Sequence, residues 1–283
     1  MRQHTSHRRV HVRFARITLF LLLSLPIVSF PLGAQPTDTS KVVSTSPLFT
    51  RDDAFIAAGF AVATVALFPA DRYFARRLQD STTQSNRFLR HQATNVRLVT
   101  ESSLLIGGGL YAIGRLAGND RMADLGLHGT ESVAIGLGVV SVFKGIAGRA
   151  RPLVDVENPR DFKFGRGFKE ENFRSFPSGH TVMAFSAAAA VTAETARWWP
   201  KSRYYVGTAM YGGAALTGVS RMFNNKHWAS DVAVGALIGT FAGRKVVRYH
   251  HSHPGNKIDK WLLKGSVVPD GHGGSSLALT IFP

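Results

Sequence analysis

Residues 176–194 read FPSGHTVMAFSAAAAVTAE. Pro177 and Gly179 punctuate the chain, Ser178 is a residue type that caps helix N-termini, and a run of small apolar residues follows. The run lacks the β-branched alternation of a half-buried strand, so it reads as a helix carrying His180 in its first turn. Taken alone, the stretch has two readings: a cap beside a surface histidine, or one wall of a phosphate site. The rest of the chain decides between them.

Outward from this helix, five more segments of the same character lie near 54–70, 102–117, 130–147, 204–219 and 231–247. Ala, Leu, Gly and Met dominate them, which predicts an all-α fold: a bundle of about six core helices whose small residues let the helices approach closely. The apolar runs are about 14–18 residues long, at or below the length that crosses a ~30 Å hydrocarbon core. Arg115, Lys144 and Arg244 sit inside or at the edge of them. Those features favour a helical domain in contact with a membrane, although AFIAAGFAVATVALF (54–68) is apolar enough to insert. Between the first two segments, residues 71–98 place Tyr73, Phe74, Leu78, Phe88 and Leu89 at helical intervals among arginines. This is an amphipathic helix pair, suited to packing on the bundle or to lying on a bilayer surface.

The ends of the chain differ from the middle. Five arginines and no acid occur in the first 34 residues, followed by ITLFLLLSLPIVSFPL and the small-residue exit Gly33-Ala34. A basic n-region, an apolar h-region and a small exit describe a secretory signal peptide over 1–34, which predicts export to the periplasm in association with a membrane. Residues 35–50 read as a polar Ser/Thr-rich linker, 51–250 as the helical domain and 251–283 as a tail. The tail histidines His250, His251 and His253 have a metal-liganding composition but read as solvated. The closing GHGGSSLALTIFP is a glycine stretch before an apolar run that pairs or docks. There are no cysteines, which excludes thiol catalysis and a disulfide framework. A formal net charge of +16 favours phosphorylated partners or an anionic membrane surface. No nucleic-acid partner is expected, and no feature specifies an oligomeric state.

Three stretches concentrate the basic and histidine residues: KGIAGRARP (144–152), PSGH (177–180) and SRMFNNKHWASD (220–231). Each lies at a helix end, and an up-and-down bundle brings the ends of its third to sixth helices to one face. That face would hold Lys144, Arg151 and Arg221, two of which offer guanidinium forks for oxygens. Ser178 and the N–H groups of Gly179 and His180 add donors at a helix start, where the dipole favours an anion. Three cations in one place carry a repulsion and desolvation cost that a multiply charged oxyanion would offset. Phosphate is the candidate. His227 and Asp231, spaced i and i+4, are expected to share a helix face, so that the carboxylate holds one ring nitrogen protonated and leaves the other as nucleophile or base. His180, on the opposite wall, is suited to protonate a leaving oxygen.

The joint pattern Lys-x6-Arg-Pro, Pro-Ser-Gly-His and Ser-Arg-x5-His-x3-Asp resembles that of the type 2 phosphatidic acid phosphatase and vanadium-dependent haloperoxidase superfamily. Lys144, Arg151, Pro152, Pro177, Ser178, Gly179, His180, Ser220, Arg221, His227 and Asp231 fill every motif position, over roughly 54–248 by helix order. The resemblance implies an all-helical, metal-independent phosphatase acting on a phosphomonoester or diphosphate, often of a lipid. It implies His227 as nucleophile, Asp231 as its orienter, His180 as acid, and Lys144, Arg151, Ser178, Gly179 and Arg221 as the phosphate cradle. It implies no cofactor, with vanadate acting as a phosphate mimic or, in the haloperoxidase branch, as a prosthetic group. Single residues have simpler readings: Lys144 as a charge at a helix C-terminus, Arg151 and Arg221 as surface ion-pair residues, Asp231 as a helix cap, His227 with Asp231 as metal ligands. Residues 154–175, rich in Phe and basic side chains, read as a lid over the site or as a solvated connection. Rival functions are a broad-specificity periplasmic acid phosphatase, a haloperoxidase, and a non-catalytic phosphate- or lipid-binding protein.

Overall fold

A computed structural model of the chain describes residues 47–253, 256, 265–269 and 275–279. The expected signal segment and most of the linker lie outside the described residues. Among those described, nine α-helices follow in order: α1 (Arg51–Leu67), α2 (Asp71–Gln79), α3 (Ser81–Ser85), α4 (Arg87–Glu101), α5 (Ser103–Leu116), α6 (Asp120–Ala147), α7 (Gly179–Trp198), α8 (Ser202–Phe223) and α9 (Ala229–Ser252). The six apolar segments are α1 and α5 to α9, and the arginine-rich stretch 71–98 forms α2, α3 and most of α4. The C-terminal run pairs: β1 (Gly265–Pro269) and β2 (Ser275–Leu279) make an antiparallel hairpin with Gly265 opposite Leu279. The tail therefore adds strands to an otherwise helical chain.

The core helices outrun their apolar cores. α6 has 28 residues, α7 20, α8 22 and α9 24. Polar motif residues at each end continue the hydrogen-bond ladder, which a hydropathy reading does not register. At 1.5 Å per residue α6 is about 42 Å long. It is the one described helix long and apolar enough to cross a membrane. The pairs α1 with α2 and α4 with α5, bent by 66° and 46°, also qualify if each counts as one span. Phe55, Val65, Leu105 and Leu116 stand at least 70% exposed along α1 and α5. That much outward apolar surface suits an apolar surrounding.

α7 occupies the centre and packs on α6, α8 and α9. Its contact with α9 depends on a stripe of small residues. A Cβ added at Gly235, Gly239 or Gly243 would come 2.7, 2.5 or 2.5 Å from the carbonyl oxygens of Ser178, Val182 and Ser186. Backbone thus lies on backbone along a little over two turns of α7, fixing the depth of α9 against it. α6 ends at Gly148, whose φ of +55° closes the helix in the left-handed region. That turn sends the chain directly into Arg149.

Arg149 is fully buried. Its guanidinium donates to Asp71 Oδ2 at 2.7 Å, Asp231 Oδ1 at 2.5 Å, Ser230 Oγ at 2.8 Å and the Pro159 carbonyl at 2.6 and 3.0 Å. Phe68, Phe162 and Trp228 surround it with ring centroids 4.9–5.4 Å away. One side chain thereby joins α2, the loop after α6, and the start of α9. The connection 149–178 is stitched to this point by backbone bonds from Ala150 to Asp161, Arg151 to Asn172 and Ser175 to Arg149. It contains two 3₁₀ turns, Arg166–Phe168 and Glu171–Phe173. The segment read as a lid or a solvated connection is a built, hydrogen-bonded loop.

Two expected outcomes test this packing. Gly239→Ala should lower stability by about 1–3 kcal/mol, whereas Gly213→Ala, whose added methyl meets open space, should leave it unchanged or higher. Arg149→Leu strands two buried carboxylates and should cost about 3–5 kcal/mol. Thermal unfolding of the variants beside the wild-type chain measures both.

Candidate active site

The site forms where four helix ends meet. Lys144 lies in the last turn of α6, Ser178 and His180 at the start of α7, Arg221 in the last turn of α8 and Asp231 in the first turn of α9. His227 stands in the short turn between α8 and α9. The Ser178 amide donates to the Asp231 carbonyl at 3.0 Å, joining the starts of α7 and α9. A Cβ on Gly179 would lie 3.4 Å from Lys144 Cε, so the Lys144 chain runs against the start of α7. Both His227 and His180 feel the charges of Lys144 and Arg221, and Lys144 in turn feels Arg151, Arg174, Arg221 and Asp231. Lys144, Arg151, His180, Arg221, His227 and Asp231 therefore share one electrostatic neighbourhood, with Ser178 and Gly179 at its α7 wall.

The cations at the site are only partly paired among the described residues. Lys144 Nζ donates to the Arg174 carbonyl at 2.6 Å, and Arg151 reaches the exposed Glu171 carboxylate at 3.2 Å. Among the described residues, the buried Nε–H groups of Arg151 and Arg221 have no hydrogen-bond partner. An unsatisfied buried donor costs about 1–3 kcal/mol, more when charged. Two guanidinium groups carrying that cost from separate helix ends fit a tetrahedral oxyanion that accepts from both. Ser178, fully buried, departs from its expected part. Its side chain makes no cap bond on α7; its Oγ instead accepts from Thr181 Oγ1 at 2.8 Å. The hydroxyl proton of Ser178 and the first-turn amides of α7 are left for a ligand.

The His227 ring is oriented differently from the i,i+4 expectation. His227 precedes the first residue of α9, so no shared helix face relates it to Asp231. Its Nδ1 lies 2.7 Å from the Ser175 carbonyl and 3.7 Å from Asp231 Oδ2. A carbonyl only accepts, so Nδ1 carries the proton and the neutral ring keeps its lone pair on Nε2. Burial first, and the Lys144 cation second, push the His227 imidazole down to about 3, so it is neutral at physiological pH. Asp231 stands behind this contact. Its Oδ2 accepts from Ser175 Oγ at 2.5 Å and from the Trp228 amide at 2.8 Å, while Oδ1 takes Arg149. Burial works to raise the Asp231 carboxyl, but Arg149, His227 and Ser175 outweigh it and hold it ionised. The carboxylate thus fixes Ser175 and the first turn of α9, and the Ser175 backbone fixes the ring.

His180 has a partner that sequence reasoning missed. Its Nε2 lies 3.0 Å from Oε1 of Glu101, the last residue of α4, which also accepts from Arg97 at 2.9 and 3.0 Å. Burial lowers the His180 pKa, and so does Arg221, while Glu101 works in the opposite direction. Ser175, Arg149, Asp71 and Glu101 were all absent from the sequence-derived set. Only Ser175, next to the PSGH stretch, carried a positional hint.

The chain is similar to several known proteins. The PAP2 superfamily matches residues 127–254. Over 69 residues, 24% of this chain, the sequence is 45% identical to a lipid A 1-phosphatase of Porphyromonas gingivalis, although the match spans only 15% of that protein. The fold resembles the first transmembrane PAP2 type phosphatidylglycerolphosphate phosphatase from Bacillus subtilis, with a TM-score of 0.53 at 18% identity over 74% of this chain and 99% of that one. LpxE of Aquifex aeolicus aligns with a TM-score of 0.44 at 22% identity, over 64% and 96% of the two chains.

The Glu101–His180 contact gives a pH-dependent outcome. Glu101 raises the His180 pKa against burial, so Glu101→Gln should lower it. For turnover that needs protonated His180, the limb of kcat/KM that falls with rising pH should move toward acid. A kcat/KM–pH profile of both proteins measures the shift; an unmoved limb means that His180 is not the acid.

Proposed function

We propose that this chain is a PAP2-type phosphatase that cleaves a lipid phosphomonoester or diphosphate through a phosphohistidine, a reading supported by the match of residues 127–254 to the PAP2 superfamily. The observation that carries the reading is His227, a buried neutral imidazole whose tautomer is set by the Ser175 carbonyl, beside two guanidinium groups with unpaired N–H donors. A site that only bound phosphate would need the cations but no such ring.

The chemistry follows from the placement of protons. The Nε2 lone pair of His227 attacks phosphorus in line as the P–O bond to the alcohol breaks. Protonated His180 delivers its proton to the departing oxygen, which leaves as the alcohol. Lys144, Arg151, Arg221, the Ser178 hydroxyl and the α7 amides at Gly179 and His180 stabilise charge on the three equatorial oxygens, the largest contribution in phosphoryl transfer. Asp231 acts through Ser175 and its own carboxylate charge to favour the cationic phosphohistidine ring. Water then attacks phosphorus, neutral His180 takes its proton, and inorganic phosphate leaves with both histidines restored. Proton transfer and charge stabilisation are assigned to side chains, and no metal ion is assigned a part.

A lipid substrate is supported by the membrane-length α6 and by the apolar exposure of α1 and α5. It is also supported by the names of the two relatives, which act on lipid A and on phosphatidylglycerol phosphate. The proposed setting is membrane-associated, with α6 in the bilayer.

His227→Ala should reduce turnover to background while the protein still binds inorganic phosphate or vanadate, by direct titration, within a few-fold of wild type. Retained turnover in that variant removes the nucleophile assignment. A lipid phosphate in detergent micelles should be hydrolysed with higher kcat/KM than a small aryl phosphate; the reverse order favours a broad-specificity acid phosphatase.

A further inference from the structure

The far end of the bundle holds a second cluster of titratable side chains that the proposed reaction does not use. His128 on α6, Glu194 near the end of α7 and His251 in the last turn of α9 each offer one ligand atom, and these atoms lie within 4.8 Å of one another. His180 and Glu194 are separated by 14 residues of α7, about 21 Å at helical rise, so the cluster is remote from the phosphate site. Of the terminal histidines read from sequence as a solvated tail, His250 and His251 belong to α9 and His253 is its C-cap residue. His250 is 2% exposed, and His251 contacts Glu194 at 2.8 and 3.0 Å.

We propose that His128, Glu194 and His251 form a binding site for a divalent transition-metal cation of the zinc class, a structural clamp joining α6, α7 and α9. The donor set is the first reason. Two imidazoles and a carboxylate from three separate helices are a donor set that zinc accepts, and zinc–ligand bonds of about 2.0–2.2 Å place tetrahedral donors about 3.4 Å apart. Here His251 Nε2 to Glu194 Oε1 is 2.8 Å and His128 Nδ1 to Glu194 Oε1 is 3.5 Å, so small side-chain shifts accommodate an ion. Asp124 is one turn before His128 on the same face of α6 and feels the charges of His128, Glu194 and His251. Its charge adds to the negative potential at the cluster.

Charge balance is the second reason. His128 is 1% exposed and Glu194 is 0% exposed, with Asp124 and Glu131 nearby on α6. The imidazoles gather around these carboxylates: His128 stacks on His250 at 4.3 Å between centroids and meets His251 at 5.4 Å. A divalent cation held there would offset the buried negative charge of Glu194 and its acidic neighbours. The outer contacts match a metal site as well: His250 Nε2 sits 2.6 Å from Glu131 Oε2, which locks the ring that stacks on His128.

The test uses the full-length, untagged chain, stripped with chelator and dialysed against Zn²⁺. Wild-type protein should retain one zinc per chain by elemental analysis, bind Co²⁺ with the intense visible absorption of a tetrahedral site, and gain thermal stability from either ion. His251→Gln, at the partly exposed edge of the cluster, should lose all three responses while keeping its helical circular dichroism. Glu194→Gln should behave likewise, and His91→Gln, on exposed α4, should match wild type. The proposal is overturned if wild type takes up no zinc, which would leave a proton-only cluster. It is equally overturned if His251→Gln and Glu194→Gln bind as wild type does, which would place the ion on other histidines.

Discussion

A buried guanidinium fixes the geometry on which the site depends. Arg149 is removed from water and lies between Asp71 and Asp231, with Ser230 and Pro159 filling its remaining donor directions. Burying such a group is favourable only when every charge is met, so its partners cannot drift independently. Asp71 ties the far-off α2 to the amide and hydroxyl of Ser230. Asp231, held from the other side, caps α9 through the Trp228 amide and grips Ser175. The position of the His227 ring is the last link in that chain of contacts. The proposed catalytic geometry thereby rests on a charge network that stands behind the His227 ring.

The two ends of the bundle express opposite electrostatic solutions. At the end formed by the last turns of α6 and α8 and the first turns of α7 and α9, cations outnumber acids and two N–H groups lack partners. The deficit is one of negative charge, which the phosphate of the proposed substrate would supply. At the other end of the same α6, α7 and α9, carboxylates and imidazoles crowd together and the deficit is one of positive charge. Helix dipoles do not explain either cluster alone, since each combines N-terminal and C-terminal helix ends. Side chains at helix ends carry the charge, while the glycine stripe between α7 and α9 sets how closely the ends approach.

The proposed division of labour between the histidines has a structural cause. His227 is enclosed, its proton pinned at Nδ1 by a carbonyl, and burial keeps it uncharged. His180 is more open and rests against Glu101, which supports its protonated form. Burial lowers both imidazoles, His227 much further, and His180 alone rests directly on a carboxylate oxygen; that difference suits the proposed roles of attack for one and proton donation for the other.

Sequence alone was enough for everything that depends on local pattern. The apolar runs identified six helices, and the spacing of Lys144, Arg151, Ser178, Gly179, His180, Arg221, His227 and Asp231 at helix ends marked one candidate site, because a bundle brings consecutive helix ends together. Helix lengths were underestimated, since hydropathy counts apolar residues and the helical ladder also runs through polar ones. The tertiary structure alone decided which atoms meet. That His227 is held by the Ser175 carbonyl, that Arg149 rather than a surface position links Asp71 to Asp231, that Glu101 backs His180, and that His251 reaches Glu194 are contacts across 52 to 82 residues of chain. No local periodicity encodes them. Their cause is the desolvation of charged groups, which is defined only after the helices have packed and water has gone.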